Sequence, residues 1–513
     1  MRVLVFHGYL LRGTGSNIYN ANLAQALARL GHDVHLLCQD RGAADLDWVD
    51  ALGTWKGGRL AVRDLRDPEG PGSVTAYLPE IGGLLPVYVA DHYEGFRVKA
   101  FEELSGAELD GYLAANVAAV ADVAEAAGGV EAALANHLVM GPVILARSGL
   151  GFAAKVHGSA LEYTVKPNPR FLPFAAEGME AASTVLVGSR HTAESLWAAL
   201  PGVEGLEEKT RLGPPGVDVA EFAPAPPAAD PGRLEVLAAA IEREPSGGAF
   251  GREPSLAAPA IRAFAQTRGP RVVFVGKLIV SKGVDLLLAA WPMVHAANPG
   301  AGLLVVGFGE YREALRRLLD SLAGGDLGAA REVARRGRAL EGGEGEPLPI
   351  LSHFLEAPPD GYPEAAAAAA GSVGFAGRLE HREIAELLPF AEALVMPSTF
   401  PEAFGMVAVE AAACGVLPVS AGHSGMLEVS RQLAPALPEA ARELISFPVA
   451  EGAVEGIAAR LNRWLEMPEP ERAECRGALV ERARELWSWE GVARCVIAAS
   501  RGERKGLPRP EAL

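Results

Sequence analysis

Residues 1–40 read MRVLVFHGYLLRGTGSNIYNANLAQALARLGHDVHLLCQD, and this stretch sets the fold class. Val3, Leu4, Val5 and Phe6 form an unbroken apolar run, suited to a strand buried on both faces, and the turn Gly13-Thr14-Gly15-Ser16 follows. From Ile18 to Leu30 apolar residues recur at helical spacing, Gly31 stands where a helix would stop, and Val34 to Leu37 opens a second strand. Further strand candidates stand at Val143–Ala146, Ala153–His157 and Thr184–Gly188, with room for helices between them. A parallel sheet with helical crossovers is the natural architecture.

Beyond this domain the text turns irregular at Gly213–Phe222 and rich in Pro, Ala and Gly from Ala223 to Pro270. The rhythm of strand and helix restarts with RVVFVGKL (271–278) and continues at Leu303–Gly307, Val373–Ala376, Ala393–Met396 and Val416–Ser420. The expectation is an α/β chain of two Rossmann-like, doubly wound domains, 1–222 and 271–486. Residues 223–270 are expected to be a linker or insertion, and 320–372 an insertion with some helix and no chemistry of its own. The helical segment from Trp487 is expected to complete the first domain.

Composition narrows the function. The 513 residues carry 47 Lys and Arg against 64 Asp and Glu, a net charge of −17, which opposes nucleic acid as a main partner. No Lys/Arg-dense amphipathic stretch marks a membrane surface, although a local patch could oppose the global charge, so peripheral membrane contact stays open. There is no apolar run of about 18 residues, and MRVLVFHGYLLRGTG lacks a basic leader and cleavage site, so a soluble cytoplasmic protein is expected. Cys38, Cys414, Cys475 and Cys495 share no ligand spacing and read as reduced core thiols. Oligomeric state is not written in these features.

Four constellations could carry chemistry. The Gly13–Ser16 turn, between strand and helix, suits either an anion site at a helix N-terminus or a plain connection, and it lacks both GxGxxG and GxxxxGK[ST]. In GKLIVSKG (276–283) Lys277 and Lys282 could reach one anion at the carboxyl edge of the sheet, or be two solvated lysines. The strongest is MPSTFPEAFGMVAVEAAACGVLPVSA (396–421). Glu402 and Glu410 are eight positions apart and would diverge by roughly 80° on a continuous helix. Pro401 and Gly405 instead place Glu402 in a loop and Glu410 about one turn inside a helix starting near Phe404 or Gly405. Paired carboxylates suit vicinal hydroxyls of a sugar or ribose; the alternative is two helix formers stabilised by the dipole. His157, at the end of a strand, could serve a ligand oxygen or a structural bond, and His137 in ANHLVMGP leans structural. HExxH, GxSxG, Cys/His metal spacing and an acidic pair for a metal-chelated diphosphate are all missing, so no metal and no cofactor is expected.

Taken together, PEAFGMVAVEAAACGVLPV, GKLIVSKG and GPPGVDVAEFAP (213–224) resemble the retaining glycosyltransferases of family 4, the group 1 glycosyl transferases. Their GT-B fold has two facing Rossmann-like domains with a cleft between them. The similarity covers roughly 1–220 and 270–500. It implies that Glu402 holds the donor sugar's hydroxyls, Glu410 the ribose, and the backbone of Ala403, Phe404, Gly405 and Met406 the sugar and diphosphate. It further implies Lys277, Lys282 and Gly15 at the diphosphate, His157 near the sugar, and Arg378 and Leu379 of VGFAGRLEH at the base. Lys277 departs from the family's usual Arg, the glycine turn reads GTG, and 320–372 is longer than usual.

The implied function is transfer of a hexosyl group from a nucleotide-diphosphate sugar to an unidentified acceptor with retention, catalysed by Glu402, His157 and Lys282 without metal. Acceptor candidates are Tyr88, His92, Tyr93, His137 and Tyr163, common sugar-stacking types. The alternatives are a nucleotide-sugar epimerase or phosphorylase of the same fold, or a non-catalytic nucleotide-sugar binding protein.

Overall fold

A computed structural model describes residues 1–13, 15–88, 95–225, 232–243 and 253–510. The chain divides into two compact units, residues 1–216 with 487–513, and residues 217–486.

Unit 1 is built on nine strands of one sheet. They are β1 (Arg2–Phe6), β2 (Asp33–Leu37), β3 (Ala51–Lys56), β4 (Arg59–Asp64), β5 (Ser73–Leu78), β8 (Ala132–Asn136), β9 (Ala153–Lys155), β10 (Thr184–Val187) and β11 (Thr210–Leu212). The short β6 (Leu84–Val87) and β7 (Arg97–Ala100) pair separately. The order is β11-β10-β9-β8-β1-β2-β5-β3-β4, parallel except for the antiparallel edge pair β3–β4. Alternation along β1 explains why it is apolar throughout: Leu4 and Phe6 enter one core cluster, Val3 and Val5 the other. The second cluster is covered by the helices Gly15–Arg29 and Trp489–Ser500, the latter contributing Trp489, Val492 and Val496.

Unit 2 is a six-stranded parallel sheet of β12 (Arg271–Val275), β13 (Gly302–Val306), β14 (Val373–Gly377), β15 (Ala393–Met396), β16 (Leu417–Ala421) and β17 (Ser446–Phe447). Its order, β14-β13-β12-β15-β16-β17, reverses direction between β12 and β15. The loops leaving these two strands lie at the carboxyl edge of the sheet, the position where doubly wound sheets take ligands.

Two expectations are corrected. Val143–Ala146 lies inside the helix Gly141–Arg147, because a short apolar run reads alike for a buried helix and a strand; the neighbouring strand is β8, and the pair β3–β4 with β5 went unread. Residues 223–270 are more than a linker. The helices Gly232–Glu242 and Pro254–Ala265 belong to unit 2, and Arg262 bridges to Glu235 and Glu242 at 2.7 Å each. Residues 320–372, expected as an insertion with some helix, lie in the connection from β13 to β14 and hold the helices Leu327–Arg336, Pro349–Glu356 and Tyr362–Ala369, with Tyr362 donating its hydroxyl to Ala289 O at 2.7 Å. Among the described residues no helix is long and apolar enough to cross a membrane, and no group of three or more His, Cys, Asp or Glu could hold a metal ion.

Candidate functional site

The loop after β12 and the loop after β15 meet in unit 2. Gly283 makes their approach possible: its φ is +64°, and a Cβ there would lie 2.0 Å from Pro397 O. Thr399 N donates to Ser281 O at 2.9 Å across the same junction. Gly307, which follows β13, has φ +154° and admits no side chain either, since Gly276 O would lie 1.8 Å from its Cβ.

At this junction the Lys282 ammonium is paired with Glu402 Oε1. Glu402 is fixed from several directions. Ser398 Oγ donates to the same Oε1 at 2.8 Å, Glu402 N donates to Ser424 Oγ at 2.9 Å, and Gly425 N donates to Glu402 O at 2.9 Å. His423 joins by bonds to Ser398 O at 2.8 Å and Ser424 Oγ at 3.1 Å. Sequence reading missed Ser398, His423 and Ser424, which carry no spacing signal; Ser424, at φ +50°, is marked only by its backbone. Lys277 is exposed in the Lys282 loop.

The helix Met406–Ala413 starts behind Glu402 with Gly405 at its N-cap and no side chain capping it. Its first amides are left to water or an anion. Phe404 and Met406 flank that start, half-buried. Glu410 lies one turn inside, 5% exposed, and bonds His381 Nε2 at 2.9 Å. Burial works against charge on His381, yet the Glu410 carboxylate, with Glu221 and Asp218 nearby, raises its pKa above the ordinary histidine value. Phe222 packs on the His381 ring, centroids 4.8 Å apart. Of the expected base-side residues, Arg378 is half-buried and pairs with Glu380 at 3.0 Å, and Leu379 is buried. Unit 2 therefore gathers Lys282, Glu402, Glu410 and the residues after β14 along one sheet edge.

Gly15, Tyr88, His137, His157 and Tyr163 belong to unit 1, where Gly15 opens the helix after the glycine turn. His92 and Tyr93 lie outside the described residues. Asn136 Nδ2 donates to Phe6 O at 3.2 Å, which turns its Oδ1 toward His157 Nε2 at 3.0 Å and assigns the imidazole proton to Nε2. Burial, then Lys155 and His7, hold His157 well below its ordinary pKa. It is a neutral ring with Nδ1 as acceptor, so a hydrogen-bonding role fits it and an acid role at neutral pH does not. His137 is 2% exposed, packed among the rings of His7, Tyr9, Tyr88 and His157, with both nitrogens unpartnered. Tyr88 stacks on Phe101 and gives its hydroxyl to Val139 O, whereas Tyr163 is 51% exposed.

Residues 364–485, which hold β14 to β17 and both glutamates, match the family model of glycosyl transferases group 1. Glycogen synthase of Mycobacterium tuberculosis is 28% identical over 246 residues, 47% of this chain and 46% of that protein. The match thus spans about half the length of this curated relative. Sucrose-phosphate synthase from Thermosynechococcus elongatus superposes with TM-score 0.54 at 18% identity, covering 96% of each chain. Anabaena Alr3699/HepE in complex with UDP-glucose does so with TM-score 0.54 at 15% identity, covering 97% of this chain and 98% of that one. The chain carries a segment of the glycosyl transferases group 1 type on a GT-B glycosyltransferase fold.

Proposed function

We propose that this protein is a retaining glycosyltransferase that moves a hexosyl group from a nucleotide-diphosphate sugar to an acceptor hydroxyl, without a metal. The observation that carries the reading is the Lys282–Glu402 pair at the point where the unit 2 sheet reverses, beside an uncapped helix start. Breaking the bond from the sugar to the diphosphate leaves negative charge on the departing group. Lys282, Lys277 and the helix-end amides would stabilise that charge, which is the work a metal does in other designs. Glu402 would hold sugar hydroxyls and Glu410 the ribose, with Arg378 and Leu379 toward the base. The relative captured with UDP-glucose supports a donor of this chemical class.

Unit 2 is thereby the donor side and unit 1 the acceptor side. His157, a neutral ring, would accept a hydrogen bond from a sugar hydroxyl through Nδ1. A cytoplasmic location belongs to the same reading.

The test is a thermal-shift screen of UDP-, GDP- and ADP-sugars followed by a product-release assay in EDTA. A ligand at 100 times its Kd adds about 2.7 kcal/mol of stability, an easily measured shift. The reading expects one donor class to bind and turn over in EDTA with an acceptor sugar. Failure of all three to bind, or a strict need for magnesium or manganese, would overturn it.

A further inference from the structure

The connection from β13 to β14 has no chemistry in the sequence reading, yet one of its side chains reaches the loop that bears both lysines. Glu341 closes the 3-10 turn Gly337–Glu341, and its Oε2 accepts a hydrogen bond from Val280 N at 2.7 Å. Val280 opens the 3-10 turn Val280–Lys282, whose last residue carries the ammonium paired with Glu402. The opening N–H of such a turn has no partner within the turn, and Val280 is 7% exposed, so an external acceptor has to satisfy it. Glu341 is that acceptor, its side chain 12% exposed.

Glu341 is well anchored. Arg338 N donates to Glu346 O at 3.0 Å, Leu348 N donates to Ala334 O at 2.8 Å, and the Arg338 guanidinium stands 3.7 Å from Glu341 Oε1. Nearby, Asp285 Oδ1 and the Tyr311 hydroxyl are buried without hydrogen-bond partners. Resting on the donor-site reading above, we infer that Glu341 is a positioning residue for the diphosphate loop. By fixing the start of the Val280–Lys282 turn it sets the direction in which Lys282 presents its charge, while touching neither sugar nor phosphate itself.

The experiment compares Glu341→Ala, Glu341→Gln, Val280→Pro and Lys282→Ala with the wild type, using whichever of UDP, GDP and ADP the wild type binds, with the matching nucleoside measured by competition. Glu341→Ala should weaken diphosphate binding about tenfold, the effect of a misdirected charge-assisted bond. It should leave nucleoside binding unchanged. Glu341→Gln keeps an acceptor oxygen and should restore most of the affinity. Val280→Pro removes the donor instead, at the first position of a turn after the extended Ile279, where proline is tolerated. It should reproduce the selective loss, and combining it with Glu341→Ala should add little.

Equal losses for nucleoside and diphosphate, additive losses in the double variant, or a Glu341→Gln as impaired as Glu341→Ala would overturn the inference. If Lys282→Ala weakens diphosphate binding and Glu341→Ala does not, only the role of Glu341 falls. If Lys282→Ala has no effect, or the wild type binds none of the three diphosphates, the donor-site reading falls with it.

Discussion

If the proposed donor site is right, Glu402→Gln should separate the binding of the diphosphate from the handling of the sugar. In the structure one oxygen of Glu402 takes both the Ser398 hydroxyl, at 2.8 Å, and the Lys282 ammonium. The two ion-pair side chains are 27% and 25% exposed, so the pair is partly solvated and contributes about 0.5 to 1 kcal/mol. Lys282 has to share that bond when a diphosphate arrives. Glutamine keeps the shape, removes the negative charge beside the incoming anion and loosens its hold on the lysine. Affinity for the bare nucleoside diphosphate should therefore hold, or rise by up to about fivefold, the equivalent of about 1 kcal/mol. Turnover should move the other way, falling roughly 10- to 150-fold if a charged hydrogen bond of about 1.5 to 3 kcal/mol to the reacting sugar is lost. Calorimetry with the nucleoside diphosphate and a single-turnover product-release assay with the intact donor read the two quantities separately, and a melting curve controls for folding. A parallel fall in both quantities at unchanged melting temperature would refute the reasoning, because Glu402 would then be organising the diphosphate pocket rather than the sugar.

Three other outcomes follow from the same geometry. Glu410→Gln should weaken nucleoside and nucleoside diphosphate alike, by about 1 to 3 kcal/mol in calorimetry, since its buried carboxylate lies toward the residues after β14. His381 has a folded pKa above its unfolded value of 6.5, so its stabilising contribution is full below pH 6.5 and fades as pH rises through the folded value; melting temperatures of wild type and His381→Asn should differ most at acid pH and converge as pH rises. Burial pushes the Lys155 pKa down to about 7, so its folding penalty is full below pH 7 and fades toward pH 10.5. Lys155→Met should accordingly gain roughly 2 to 4 kcal/mol in denaturant melts below pH 7, less whatever the bond from Nζ to Gly213 O at 2.5 Å contributes, with the gain shrinking as pH rises.

What could be read from sequence was whatever local chemistry enforces. β1 is legible because it is buried on both faces, which demands Val3 to Phe6 without interruption. The placing of Glu402 in a loop and Glu410 inside a helix is legible because Pro401 and Gly405 interrupt the helix between them, and the structure does start the helix at Met406. Val143–Ala146 failed because a buried helix packed on a sheet shows the same apolar run as a strand. β4 failed for the opposite reason: it is an exposed edge strand with no apolar face to announce it. The helices at 232–242 and 254–265 hid in a composition that also makes linkers, and they are helical because they bury Leu234, Ile241, Ile261 and Phe264 in tertiary contact. The partners of the glutamates were invisible for a topological reason. Ser424 reaches Glu402 from 22 positions away, after the next strand β16, and His381 reaches Glu410 from 29, after β14, which stands three places from β15 in the sheet.

That sheet order also explains why eight residues separate two glutamates with different partners. The loop after β15 runs beside the loop after β12, its immediate neighbour in the sheet, so Glu402 meets Lys282. One helical turn further on, the chain has moved far enough for Glu410 to meet the segment following β14, which supplies a histidine. On the proposed reading the first pair would have to reorganise around an arriving diphosphate. The second pair can lose its positive member simply by deprotonation, so a ribose bound at Glu410 would face a neutral imidazole at high pH and an imidazolium at low pH. Nucleoside affinity, measured with a ligand that carries no phosphate to titrate, should therefore carry a pH dependence that passes through His381 and disappears in His381→Asn. A pH dependence that survives in His381→Asn would refute the placing of the ribose at Glu410.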